Sequence, residues 1–150
     1  EHEAELVAVI GKRGRQNTAE TAKKHILGYT IGNDVTARDL QKSDNQWTRA
    51  KGFDTFCPFG PWIDTDFDPS DSVITCRVNG QMRQMASTRD MVFNVGTLVA
   101  YISSVMTLEP GDLIFTGTPS GVGELKSGDE VAVEIEGLGM IKNKAQAEGR

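Results

Sequence analysis

Two glutamates, Glu3 and Glu5, stand two residues apart and run directly into Leu6, Val7, Ala8, Val9 and Ile10. An apolar, β-branched run of this kind reads as a buried strand. On a strand, residues i and i+2 share a face. The fold must therefore accommodate two carboxylates side by side at the start of a buried strand. They repel, and they are costly to bury unless something positive sits between them. A divalent cation compensates such a pair, and carboxylate oxygens suit a hard one such as Mg2+. Asp34 closes a second apolar, glycine-punctuated stretch and is a candidate third oxygen ligand. The competing reading is a solvent-facing strand whose acids are simply hydrated, the commoner state of charged side chains. The rest of the chain decides between the two.

A chain of 150 residues is long enough for one domain with a core, taken here as residues 1–150. Its 38 % hydrophobic content, before 16 glycines are counted, marks it as globular rather than disordered. The net charge of −5 and the lack of a basic stripe argue against nucleic acid and anionic membranes as partners. No apolar run approaches a membrane span and no signal-peptide pattern opens the chain, so a cytoplasmic protein is expected. Cys57 and Cys76 lack metal-type spacing and read as buried thiols rather than a disulfide. The strand at Glu3 is entered without any cap or turn before it, and the natural polypeptide is expected to continue upstream of Glu1.

Glycines and basic residues at 11–15 form a turn after the first strand. Asn17 followed three residues later by Glu20 fits a capping pattern, predicting a short helix to about Leu27 that stops at Gly28. A strand is expected over 29–33 and a helical turn or two within 36–44. Residues 46–62 carry Trp47, Phe53, Phe56, Phe59 and Trp62 without clear period, and such a segment should pack against something or line a pocket. An acidic turn region follows at 64–71. Residues 73–78 and 81–86, joined by Asn79-Gly80, give a strong hairpin signal with a type I′ turn. Val95, Leu98, Val99, Ile102, Val105 and Met106 fall at helical spacing and predict the main helix over 95–107. Strands are expected at 113–116, 131–135 and 140–142. The sum is a β-rich α+β domain with one substantial helix.

Thr116-Gly117-Thr118-Pro119-Ser120-Gly121-Val122-Gly123 follows an apolar strand. It reads as a turn-rich loop or as a ligand cradle, since glycines let backbone N–H groups approach a ligand. It lacks the Gly-x-x-x-x-Gly-Lys order of a P-loop. Arg38, Arg49 and Lys51 are the cations nearest the acids in sequence. Each is either a solvated charge or a group that holds a substrate carboxylate or steadies a developing enolate. His25 is expected on the surface of the short helix, and His2 should face away from Glu3 and Glu5. No Ser-His-Asp arrangement or Gly-x-Ser-x-Gly elbow is visible.

Taken together, these motifs resemble the fumarylacetoacetate hydrolase family over nearly the whole chain. The likeness rests on Glu3-Ala4-Glu5-Leu6, on Gly28 through Gln41, on Lys51-Gly52-Phe53-Asp54-Thr55-Phe56-Cys57-Pro58, on Val78-Asn79-Gly80, and on Pro110-Gly111-Asp112 through Gly123. The resemblance implies Mg2+ or Mn2+ held by Glu3, Glu5 and Asp34, and Lys51 beside the metal as the catalytic group. It also implies Arg38 and Gln41 around the substrate or its supporting shell, and Thr118 on the substrate carboxylate. The fold it implies is a mixed β-roll or distorted barrel, commonly a homodimer. Hydrolytic members resembling this chain carry a His–Glu pair on a mobile lid upstream of the Glu-x-Glu strand. The general base is accordingly expected outside residues 1–150.

The family resemblance implies a small 2-oxo acid or dicarboxylate substrate. The first reading is metal-dependent cleavage of a C–C bond next to the 2-oxo acid, by acylpyruvate hydrolysis or oxaloacetate decarboxylation, through a metal-stabilised enolate. The alternative enzyme is an isomerase or decarboxylase of 5-carboxymethyl-2-hydroxymuconate or 2-hydroxyhepta-2,4-diene-1,7-dioate. From another class, the chain is an inactive module that binds metal and a dicarboxylate.

Overall fold

The computed structural model describes residues 1–147. Among them, eight strands form two four-stranded antiparallel sheets. The first sheet contains β1 (Ala4–Ile10), β2 (Ile26–Asn33), β3 (Phe59–Asp64) and β6 (Leu113–Phe115) in the order β3-β2-β1-β6. The second contains β4 (Val73–Val78), β5 (Gln81–Ser87), β7 (Glu130–Ile135) and β8 (Gly139–Lys144) in the order β5-β4-β7-β8. The expected β-rich α+β architecture is present.

All of β1 is buried, and its two faces do different work. Ala4, Leu6, Ala8 and Ile10 enter the core with Tyr29 and Ile31 of β2, Ile74 and Cys76 of β4, and Val131, Val133 and Ile135 of β7. This core lies between the sheets and is capped by Val95 and Val99 of the main helix, α4 (Val95–Val105). Asn94 caps that helix through a side-chain bond to Thr97 N. The β4–β5 hairpin turns at Asn79 and Gly80, with φ of 51° and 77°, the left-handed pair a type I′ turn requires.

Two expectations fail, both where tertiary pairing outweighs local signal. The helix expected to reach Leu27 is one turn long, α1 (Ala19–Ala22), and its N-cap is Thr18 in a capping box with Thr21 rather than Asn17 with Glu20. Ile26 is already in β2, paired with Ile10. Gly28 does not stop a helix. It lies inside β2, where an added Cβ would stand 2.3 Å from Asp64 O. Residues 46–62 hold the short helix α3 (Thr48–Lys51) and the start of edge strand β3, in which an edge position tolerates Pro61. Trp47, Phe53, Phe59 and Trp62 are partly exposed, yet the expected packing is present: Phe53 lies 5.3 Å from Phe56 between ring centroids, Phe56 and Phe59 line cavities of about 420 and 250 Å3, and the Trp62 ring covers Gly139.

Candidate metal and acid site

The odd-numbered face of β1 carries the acids. The β1–β2 register pairs Ala4 with Asn33, so the next pair outward is Glu3 with Asp34. Asp34 N–H indeed donates to Glu3 O at 2.8 Å. The Asn33 side chain completes the turn by accepting from Glu3 N at 2.9 Å. Strand alternation brings Glu5 beside Glu3. One oxygen from each of Glu3, Glu5 and Asp34 falls within 4.8 Å of the others. Glu3 and Glu5 are 6 % and 3 % exposed, and Asp34 is half-buried.

Two short helices bring cations to this cluster. Lys51, the last residue of α3, places Nζ 2.9 Å from Glu3 Oε2 and 2.5 Å from Asp34 Oδ2. Arg38, the first residue of α2 (Arg38–Ser43), donates from Nη2 to Glu3 Oε1 at 2.5 Å and from Nε to Glu1 Oε2 at 2.8 Å. Its other Nη donates to Gln41 Oε1, one helical turn on. Gln41 therefore reaches the acids through Arg38. Arg49 pairs instead with Asp44 on the surface, at 2.7 Å.

The two glutamates titrate in opposite directions. Burial works to raise the Glu3 carboxyl, but hydrogen bonds from Lys51 and Arg38 outweigh it and hold the group below its ordinary value. Glu5 has no such partner. Burial, joined by the charges of Asp34 and Glu3, pushes it up to about 8, against the pull of the Gly117 N–H that donates to its Oε2 at 2.6 Å. Burial lowers Lys51, yet Asp34 and Glu3 together carry it above its ordinary value.

Thr118 is placed close by but engaged elsewhere. Its hydroxyl donates to Ala4 O at 2.9 Å and accepts from Gln84 Nε2 at 2.7 Å. A hydroxyl has one proton, so in this arrangement Thr118 Oγ1 offers a further ligand only a lone pair. His2 packs on the opposite face of β1, 3.0 Å from Gln84 Oε1 and 3.5 Å from Cys76 Sγ. Both cysteines are free thiols. Glu1 as anchor of Arg38, Gly117 as donor to Glu5, and Asn33 and Gln84 as supports were not singled out as site residues by sequence reasoning. Asn33 carried a local signal by adjoining Asp34, and Gly117 by lying in the glycine-rich loop read as a candidate cradle of backbone N–H groups.

Residues 1–146 match the family model described as fumarylacetoacetate (FAA) hydrolase, C-terminal. An uncharacterized protein of Methanocaldococcus jannaschii is 55 % identical over 148 residues, covering 99 % of this chain and 62 % of that protein. A mitochondrial oxaloacetate tautomerase of Bos taurus is 49 % identical over 154 residues, covering 95 % of this chain and 49 % of that protein. Among solved structures, a 5-carboxymethyl-2-hydroxymuconate delta-isomerase from Mycobacterium smegmatis superposes with a TM-score of 0.97 at 53 % identity, over 99 % of this chain and 59 % of the other. The chain thus spans about half to three-fifths of the length of these three proteins.

Proposed function

The chain belongs to the fumarylacetoacetate hydrolase family, and from that premise we propose that it forms the metal-holding part of an enzyme acting on small 2-oxo acids through their enolates. The observation that carries this is the convergence of Glu3, Glu5 and Asp34 within 4.8 Å, two of them buried. The donor set fits a hard divalent ion. It offers carboxylate oxygens alone, it clusters three acids, and burial together with the Asp34 and Glu3 charges raises Glu5 to about 8. Mg2+ or Mn2+ held by these three residues would supply Lewis-acid polarisation of a 2-oxo acid.

The chain's own side chains supply the rest. The Lys51 ammonium stands beside the acids on a flexible stem, able to steady negative charge growing on a substrate oxygen or to carry a proton. Arg38 fixes Glu3 through a guanidinium that Glu1 and Gln41 hold from the other side. Gly117 N–H does the same for Glu5. For Thr118 to receive a substrate carboxylate, its hydroxyl proton must turn away from Ala4 O.

From an enolate at C2–C3, two outcomes follow. Proton relocation is the reading we place first, because an oxaloacetate tautomerase and a 5-carboxymethyl-2-hydroxymuconate delta-isomerase are among the similar proteins. It needs a proton carrier rather than an activated water. Cleavage of the C–C bond next to the 2-oxo acid, by acylpyruvate hydrolysis or oxaloacetate decarboxylation, is the second reading, favoured by the hydrolase description of the matching family. A homodimer belongs to the same proposal; support for it is the exposed apolar set Val92, Phe93, Tyr101, Val105 and Met106. No helix among the described residues is long and apolar enough to cross a membrane.

The test follows ketonisation of enol-oxaloacetate alongside CO2 release from oxaloacetate and cleavage of acetylpyruvate, with Mn2+ or Mg2+ and a metal-free control. Metal-dependent ketonisation alone supports proton relocation. CO2 release or acetylpyruvate cleavage moves the assignment to C–C chemistry. Metal binding without turnover of any of the three moves the assignment to a dienedioate isomerase or to a binding module.

A further inference from the structure

The loop at 116–121 leaves its strand just where β1 needs a neighbour. β6 pairs with β1 only from Val7 to Val9. Beyond that, Thr116 still reaches Leu6 O through both its N–H and its hydroxyl, at 3.2 and 2.8 Å. Ala4, lying between Glu3 and Glu5, then faces that side with a backbone N–H and C=O and no partner strand. A buried, unpaired peptide group is costly.

A side chain from the other sheet fills the position. Gln84 of β5 is 1 % exposed, and its carboxamide uses all of its hydrogen-bonding capacity. Oε1 accepts from Ala4 N at 3.1 Å and lies 3.0 Å from His2 Nδ1, the residues on either side of Glu3. Nε2 donates to Thr118 Oγ1 at 2.7 Å and to Pro119 O at 2.9 Å. Thr118 Oγ1 closes the circuit by donating to Ala4 O at 2.9 Å. Gln84 and Thr118 together act as the strand partner that Ala4 lacks. Their linkage sets the path of the loop, and one residue before Thr118 the Gly117 N–H meets Glu5.

We propose that Gln84 is a positioning residue for divalent-metal binding. It locks residues 116–121 onto the acid-bearing end of β1 and so holds Glu5 through Gly117. This inference rests on the metal reading given above. It predicts that breaking the Gln84 link weakens metal binding although Gln84 touches none of the three acids.

The test compares Mn2+ dissociation constants, from titration of the free-ion electron paramagnetic resonance signal, with melting temperatures in the protein that carries this chain. Gln84→Met, similar in volume but unable to replace these bonds, should raise the Mn2+ Kd about 10- to 100-fold, the usual cost of losing a support behind a metal ligand. Val133→Ala, buried in the same sheet, should lower Tm and leave Kd unchanged. If Gln84→Met does not fold, Thr118→Val cuts the same link and should raise Kd alike. Loss of Tm with an unchanged Kd in either link variant reduces Gln84 to a structural role and overturns the proposal. A wild-type protein that takes up no Mn2+ removes the metal reading itself, and this inference with it. The two failures are therefore distinct.

Discussion

The two faces of β1 present opposite solutions to burying polar groups. On one, Glu3 and Glu5 join Asp34 in a cluster with more negative charge than Lys51 and Arg38 fully serve. On the other, His2, Gln84 and Cys76 are also buried but are kept neutral. Burial holds the His2 imidazole below its ordinary value and pushes the Cys76 thiol up to about 11. The Gln84 amide is completely satisfied. The neutral face needs nothing more, while the acidic face is completed by positive charge. A strand that alternates its side chains can thus present a ligand site and a structural network one residue apart.

The largest expected effect lies on the acidic face. Asp34→Ala in the full protein should abolish metal-dependent turnover and weaken Mn2+ binding by more than about 100-fold, beyond the cost of losing an outer support. Turnover at the wild-type level in that variant would end the metal assignment. Lys51→Ala should lower kcat by about 100-fold or more while moving Mn2+ affinity far less, as expected of a group that acts on developing charge. A defect confined to metal affinity would make Lys51 a structural counter-ion instead.

The pH dependence should expose the unserved charge directly. Glu5 titrates near 8 in the metal-free fold against an ordinary 4.5. A carboxyl raised in the folded state contributes stability that is fully present below its unfolded value and lost as pH rises through the folded one. Metal-free protein should therefore melt lower at about pH 9 than at about pH 6 as far as Glu5 is concerned. The rise in Tm on adding Mn2+ should be larger at the higher pH, because no proton then has to leave Glu5. An equal rise at both, measured by differential scanning fluorimetry, would contradict the assignment of the unserved charge to Glu5. The smallest effect belongs to the neutral face. Cys76→Ala should cost about 1 kcal/mol of stability, in the ordinary range for a buried substitution, with Mn2+ affinity unchanged in the same titration.

Much of the site was legible before any coordinates. The Glu3–Glu5 spacing and the apolar run behind it specify a strand with two acids on one face, and Asp34, closing a second apolar stretch, was a candidate third ligand that the β1–β2 pairing brings within reach. Arg38 and Lys51 were candidates, with Arg49, as the cations nearest the acids in sequence; the family resemblance favoured the first two, and the structure places both against Glu3. Other features had no local signature. The edge strand Phe59–Asp64 hides in a segment without period, because its hydrogen bonds come from β2 and not from its own pattern. The helix expected from Asn17 and Glu20 ends at Ala22 because pairing with β1 claims Ile26 onward.

By itself the sequence determined which residues alternate, where much of the chain turns, and that Glu3 and Glu5 share one face of a strand, because these follow from local periodicity and short-range sterics. Only the tertiary structure decided which charges the cations satisfy, that Glu5 is left without one, and that a glutamine 80 residues from Ala4 stands in for a missing strand. Those outcomes depend on which backbone and side-chain groups two sheets bring within hydrogen-bonding distance, and no spacing along the chain encodes that distance.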